Sequence, residues 1–322
     1  VKSILLIRYS ALGDVVLATS LVAPLRAKYP GVRIEWVADA NHASLLEGLV
    51  ERVVPFSRKD PVSRAAVLQS VKGRFDLAID LQNKVWSMRV ARAAAPRRLR
   101  FVRRTVWQAL GSLVGHDTVF DGEPTTSMYA RAAGLDAAGP LQLTVNDEAR
   151  RRAAELMKGQ GAKWIAVAPG AAWETKRWPA ERFGQVAAAL RSEGYRVALL
   201  GGPMDGPLLD TVRKSCTVDA DLSAETLPVL AAALEQTKVL IGNDSGLVHV
   251  ALAVGSKPLA IFGPTSVKRW GPRPPGAAVT LGLPCSPCTN HGGKVCPLGH
   301  HDCLQKLELA QVLAAARRLL SA

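Results

Sequence analysis

No apolar run in this sequence approaches the ~20 residues that span a bilayer, and no low-complexity tract or short-period repeat interrupts it. The N-terminus lacks the basic start, long apolar core and small-residue cleavage site of a secretory signal, so a cytoplasmic protein is expected. Cysteine is scarce: one of the five is isolated and four cluster near the C-terminus, which is not a secreted disulfide framework. Aromatic residues make up only 5%, and basic–aromatic interleaving on a recognised module is lacking. That argues against a nucleic-acid-binding module. The pattern G-x-G-x-x-G is absent, which weakens a second alternative, a nucleotide-dependent oxidoreductase or epimerase on a Rossmann fold.

What is abundant is positive charge. Lys plus Arg number 41 against 27 Asp plus Glu, a net charge of +14. The excess is shared by both halves and suggests a polyanionic partner. In one stretch Lys84, Arg89, Arg92, Arg97, Arg98, Arg100, Arg103 and Arg104 follow one another with no intervening acid. With 48% hydrophobic and 21% charged residues over 322 positions, the composition is globular and the length favours two domains.

Short apolar strands alternate with helical segments, which predicts parallel sheets with crossover helices. In the first half, strands are expected at Ser3–Arg8, Val32–Ala38, Arg52–Phe56, Phe75–Leu81 and Leu99–Val102, with a helix over Val15–Lys28. Gly134–Val145 reads as the linker. The second half restarts with strands Trp164–Ala168, Arg196–Leu200, Lys238–Ile241 and Pro258–Phe262. The expected fold class is α/β, two Rossmann-like doubly wound domains facing each other across a cleft, over residues 1–145 and 146–322. Residues 271–303 are rich in Pro, Gly, Cys and His and are expected to be mostly loop. An amphipathic helix at about 304–320 is a candidate to pack back on the first domain.

In such sheets ligands sit beyond the carboxyl ends of the strands, so the loops there carry the chemistry. Ser10-Ala11-Leu12-Gly13-Asp14 follows the first strand. Gly13 permits close backbone approach, and Asp14 is either a helix N-cap or a carboxylate usable as a general base. Pro169 to Pro179 places Lys176 and Arg177 after a strand, where a lysine can neutralise a leaving diphosphate as a metal would. Gly242-Asn243-Asp244-Ser245-Gly246-Leu247-Val248-His249 turns from a strand into a helix whose N–H groups can bind phosphate. His249 lies one turn beyond Ser245.

These motifs, with Glu174-Thr175-Lys176-Arg177-Trp178-Pro179 and the later Phe262-Gly263-Pro264-Thr265-Ser266, resemble the ADP-heptose:lipopolysaccharide heptosyltransferases in the same order along the whole chain. These are inverting glycosyltransferases of family 9 with the GT-B fold. The resemblance implies a donor, ADP-heptose, and an acceptor on the lipopolysaccharide inner core, Kdo or heptose. It implies Asp14 as general base and Lys176 as the catalytic cation. Gly13, Thr175, Lys176, Asp205, Asp244, Ser245, Gly246 and His249 would contact the donor. The basic run adds acceptor candidates Gln82, Asn83, Lys84, Arg89, Arg97, Arg98 and Arg100, since Arg forks suit carboxylates and phosphates. The same charge suits the inner face of the inner membrane, a peripheral location. A GT-B transferase using another nucleotide sugar is a further alternative.

The resemblance requires no metal cofactor. Asp219-Ala220-Asp221 matches a D-x-D metal motif but precedes a helix and reads as loop and cap. Cys285-x2-Cys288-x7-Cys296-x6-Cys303 has ligand spacing for a structural zinc. The competing reading is reduced thiols in a packed loop.

Overall fold

A computed structural model describes residues 1–102, 122–159 and 161–322. They form two compact units, one holding residues 1–102 and Glu123–Thr144, the other Val145–Ala322. Each is built on a parallel sheet, as the alternation of elements predicts.

The first sheet contains β1 (Ser3–Ile7), β2 (Arg33–Asp39), β3 (Arg52–Phe56), β4 (Leu77–Asp80) and β5 (Arg97–Arg100), in the order β3-β2-β1-β4-β5. The run Ile4-Leu5-Leu6-Ile7 is fully buried, because helices remove both faces of a central parallel strand from water. Leu5 and Ile7 pack with Val67 and Val71 of the helix Pro61–Val71 and with Val90, Ala91 and Ala94 of the helix Val85–Ala94. The helix expected over Val15–Lys28 starts earlier and is broken. It runs Leu12–Ala18, passes through a 3₁₀ turn at Thr19–Leu21 and resumes at Val22–Lys28.

The second sheet contains β6 (Trp164–Ala168), β7 (Arg196–Leu199), β8 (Ala220–Asp221), β9 (Thr237–Asn243), β10 (Lys257–Ile261) and β11 (Ala277–Val279), in the order β11-β10-β9-β6-β7-β8. The edge strands β8 and β11 are too short to give a periodic signal. Ile165, Val167 and Ile241 pack with Val186, Ala187 and Leu190 of the helix Ala180–Ser192. The terminal segment is two helices, Asp302–Gln305 and Leu309–Ser321. The apolar face of the second, with Val312, Ala315 and Ala316, is taken up within the second unit against β9, β10, β11 and the helix Ala180–Ser192. No described helix is long and apolar enough to cross a membrane.

The strand orders decide where ligands can sit. In the first sheet the order reverses between β1 and β4, and in the second between β6 and β9. At such a switch point neighbouring loops leave in opposite directions and open a crevice. Ile7 is level with Asp80, and Ala168 with Gly242, so the motif-bearing loops emerge there side by side.

Candidate active site

The first switch point holds Asp14. The helix Leu12–Ala18 is capped by Ala11 without a side-chain bond, so Asp14 lies inside the first turn and is not the N-cap that sequence reasoning allowed. Its carboxylate is 2.5 Å from an Arg8 guanidinium nitrogen, and the Tyr129 hydroxyl donates to its other oxygen at 2.7 Å. Arg8 is itself buried and donates to the carbonyl of Leu81 at 2.7 Å. Burial works against the Arg8 charge, but Tyr129 and Asp14 outweigh it and hold the guanidinium above its ordinary value. Asp14 keeps 13% of its side-chain surface exposed.

The neighbouring loop is shaped by Asp80, buried at the end of β4. It accepts backbone N–H bonds from Gln82 and Asn83 at 3.0 Å and the Ser87 hydroxyl at 2.9 Å. Burial nevertheless pushes its carboxyl above the ordinary range. The turn leaves Asn83 at a φ of 52°. Gln82 then accepts the N–H groups of Tyr9 and Ser10 at 3.1 and 3.2 Å, tying the Asp14 loop to β4.

Of the acceptor candidates, Gln82, Asn83 and Lys84 stand at this strand end. Arg100 is level with Asp80, and its charge acts on that carboxyl. Arg97 is level with Leu77, at the opposite end of the strand, and Arg98 turns back to the carbonyl of Ala95. Arg89 is exposed on the helix Val85–Ala94. Thus only part of the basic run gathers beside Asp14. Arg103 and Arg104 lie outside the described residues.

The second switch point gathers the donor candidates. Lys176 Nζ is 2.7 Å from an Asp244 oxygen that also accepts the Thr265 hydroxyl at 2.6 Å. Gly246 opens the helix Gly246–Ala253 and Ser245 is its N-cap, yet the Ser245 hydroxyl makes no cap bond and is buried with no hydrogen-bond partner among the described residues. An unsatisfied hydroxyl at a helix N-terminus suits an anionic oxygen. His249 is buried one turn on. Asn243, fully buried, accepts the Trp178 N–H at 3.0 Å and donates to the carbonyl of Pro169 at 2.7 Å, so it grips both ends of the loop carrying Lys176. Asp205 accepts the Gly202 N–H at 2.9 Å, and its carboxylate rests against Gly170, where no Cβ would fit.

Thr175 is buried under the Cys-rich segment. Its hydroxyl and N–H donate to the carbonyl of Gly293 at 2.9 and 3.1 Å, and the Gly293 N–H donates to its hydroxyl at 2.8 Å. His301 Nε2 lies 2.8 Å from the carbonyl of Thr175. The stem of Lys176 packs on Gly292, whose φ is 93°. Cys285, Cys288, Cys296 and Cys303 are all free thiols. Burial, followed by the other three cysteines, pushes the Cys303 thiol up to about 11. Among the described residues no His, Cys, Asp or Glu side chains form a ready-made group for a metal. Asp219 and Asp221 are engaged by arginines. Asp219 pairs with Arg191 at 3.3 Å and Asp221 with Arg213 at 2.8 Å.

Arg8, Tyr129, Asp80, Asn243 and Gly293 escaped sequence reasoning. Tyr129, Asn243 and Gly293 have partners too far along the chain for spacing to expose them, whereas Asp80 and Arg8 have near partners with no periodic signal. Asn243 alone had a signal, as a buried polar residue at the end of an apolar strand.

Comparison with known proteins bears on the family and the fold. Residues 64–299 match the family model of glycosyltransferase family 9 (heptosyltransferase). The chain is 27% identical over 315 residues to lipopolysaccharide heptosyltransferase 1 of Pseudomonas aeruginosa, covering 88% of this chain and 85% of that one. The fold is similar to that of a family 9 glycosyltransferase from Veillonella parvula, with a TM-score of 0.81 at 22% identity over 99% and 97% of the two chains. It is also similar to ADP-heptose lipopolysaccharide heptosyltransferase II of Escherichia coli, with a TM-score of 0.77 at 24% identity over 99% and 98%. The order of motifs, the two Rossmann-like sheets of the GT-B class and the match across most of the chain agree: the chain belongs to glycosyltransferase family 9, the heptosyltransferases.

Proposed function

We propose that the enzyme transfers L-glycero-D-manno-heptose from ADP-heptose to a Kdo or heptose residue of the lipopolysaccharide inner core, with inversion. The observation that supports this most is the Asp14 carboxylate, fixed at the end of β1 by Arg8 and Tyr129 and still open on one side. Part of its surface, 13% of the side chain, stays exposed to an incoming hydroxyl. Asp14 takes the proton of the acceptor hydroxyl as its oxygen attacks C1 of the heptose. The C1–O bond to diphosphate breaks, and ADP departs with the electron pair. Lys176, the Ser245 hydroxyl and the N–H groups opening the helix at Gly246 meet the growing negative charge. Thr175, Asp244 and His249 shape the sugar and phosphate pocket, and Asp205 takes the ribose. No metal cofactor is invoked for the transfer.

On this reading Gln82, Asn83, Lys84 and Arg100 face the anionic acceptor. The more distant Arg89, Arg97 and Arg98 strengthen attraction to the acidic acceptor and to the inner leaflet, where the enzyme sits peripherally on the cytoplasmic side.

The decisive experiment titrates ADP, ADP-heptose, UDP and NAD calorimetrically into wild type and Asp14→Asn, and measures transfer by each. ADP and ADP-heptose bind both proteins alike, while Asp14→Asn transfers about 10²–10⁴-fold more slowly, the scale of a lost general base. Binding of UDP or NAD in place of ADP would refute the donor assignment. Near-wild-type transfer by Asp14→Asn would refute the base.

A further inference from the structure

Lys176, the cation proposed to meet the leaving diphosphate, is already engaged. Its Nζ stands 2.7 Å from Asp244 Oδ2, and the two side chains keep only 14% and 7% of their surface exposed. An ion pair acts on a third charge as a dipole, whose field falls off faster than that of a lone charge. The paired lysine therefore adds little to the binding of an anion. Yet the anion's place is adjacent. Ser245 and Gly246, which cap and open the helix Gly246–Ala253, follow Asp244 directly in the chain. A diphosphate seated there competes with Asp244 for the same lysine.

The backbone on either side need not move for that exchange. Next to Lys176, the Thr175 N–H and hydroxyl donate to the carbonyl of Gly293, and the lysine stem rests against Gly292. The Asp244 N–H donates to the carbonyl of Ile261 at 3.0 Å. Only the outer part of the lysine side chain has to swing. The difficulty is what the swing leaves behind, because a buried carboxylate stripped of its cation is costly. Thr265, in the loop after β10, lowers that cost. Its hydroxyl is buried and donates at 2.6 Å to Oδ2, the same oxygen that Lys176 contacts. This bond does not depend on the lysine and persists when the lysine departs.

We propose that Asp244 holds Lys176 in reserve, that the lysine passes to the diphosphate when the donor binds, and that Thr265 is the positioning residue for this exchange. Thr265 keeps the Asp244 carboxylate in place and hydrogen-bonded while its ionic partner changes. No proton moves, since ammonium and carboxylate both keep their charge. The exchange deepens the donor assignment and rests on it.

The test is calorimetric titration of ADP and of inorganic pyrophosphate into wild type and variants of the full chain. Lys176→Met weakens both ligands, which marks the lysine as their cation. Thr265→Val, of nearly the same shape, weakens both roughly 10–100-fold, the scale of a lost hydrogen bond to a charged group. Thr265→Ser keeps the hydroxyl and restores the affinity. Asp244→Asn removes the competitor and tightens both ligands several-fold. In that background Thr265→Val has no effect, because no carboxylate remains to be held. A merely structural role for Thr265 would weaken binding alike in both backgrounds and overturns its assignment, as does unchanged binding in Thr265→Val. Weaker binding in Asp244→Asn, matching Lys176→Met, overturns the exchange, since Asp244 would then present the lysine and not withhold it. Should Thr265→Val fail to fold, Thr265→Ala takes its place, and Asp244→Asn decides the exchange by itself. Pyrophosphate binding that follows this pattern while ADP fails to bind overturns the donor nucleotide and leaves the exchange standing. Failure of both ligands to bind wild type overturns both.

Discussion

Asn243→Ala removes a side chain that grips both ends of the loop between Pro169 and Trp178. Asn243 and Trp178 are almost fully buried, so the Trp178 N–H and the Pro169 carbonyl lose their partner in a place water reaches poorly. An orphaned buried polar group costs about 1–3 kcal/mol. Two of them, before any cavity term, amount to roughly 2–6 kcal/mol, with the low end reached if a water replaces the amide. For a unit of this size each kcal/mol lowers the midpoint by about 2–4 °C. Urea unfolding of the full chain, followed by tryptophan fluorescence, reads the loss, since Trp178 sits at the altered bond. Asn243→Asp sharpens the logic. Its retained oxygen still accepts from Trp178, but a second carboxylate oxygen now faces the Pro169 carbonyl, a repulsion relieved when the acid is protonated and can donate. Its folded pKa is therefore raised, so the variant gains stability as pH falls through that value, unlike Asn243→Ala. An Asn243→Ala protein within about 0.5 kcal/mol of wild type, the range of an ordinary surface change, would refute the clamp.

Gly292→Ala places a Cβ 2.8 Å from Lys176 Cδ and from Trp173 Cβ, on a backbone with a φ of 93°. Strain of about 1–3 kcal/mol is expected to push Lys176 aside and weaken ADP binding several-fold. Gly299→Ala, with φ of 76° but nothing within 4 Å, carries the strain without the contact; equal losses of ADP affinity in both variants would remove the contact as the cause. Asp80 supplies a pH signature. Its folded carboxyl lies above the ordinary range, chiefly through burial. The folded chain thus holds this proton more tightly than the unfolded one, and the stability it confers is present at low pH and lost as pH rises through the folded value. Asp80→Asn should flatten that fall in urea titrations carried upward from the ordinary carboxylate range; parallel wild-type and variant curves would contradict the assignment.

What the sequence displayed was everything with a short period. Apolar runs such as Ile4–Ile7 and Trp164–Ala168 announce strands buried on both faces, and the loops after them announce themselves by glycine and charge. Hence Asp14, Lys176, Asp244 and Ser245 could be named before any coordinates were at hand. The structure adds which partners such residues keep, and several of those partners are distant in the chain. Tyr129 reaches Asp14 across 115 positions, and Gly293 reaches Thr175 across 118. No periodicity records such a contact, because it is set by sheet order and not by spacing. The basic run shows the opposite error. Adjacent arginines look like one patch in sequence, but a strand spreads them along its length and alternates them between its faces. Arg100 therefore stands beside Asp80 while Arg97 sits at the other end of β5. Charge density along a chain predicts the partner's sign better than it predicts which residues touch the partner. The cysteines fall between these cases. Their spacing is visible in the sequence, but only the folded loop brings all four to one cavity beside Thr175.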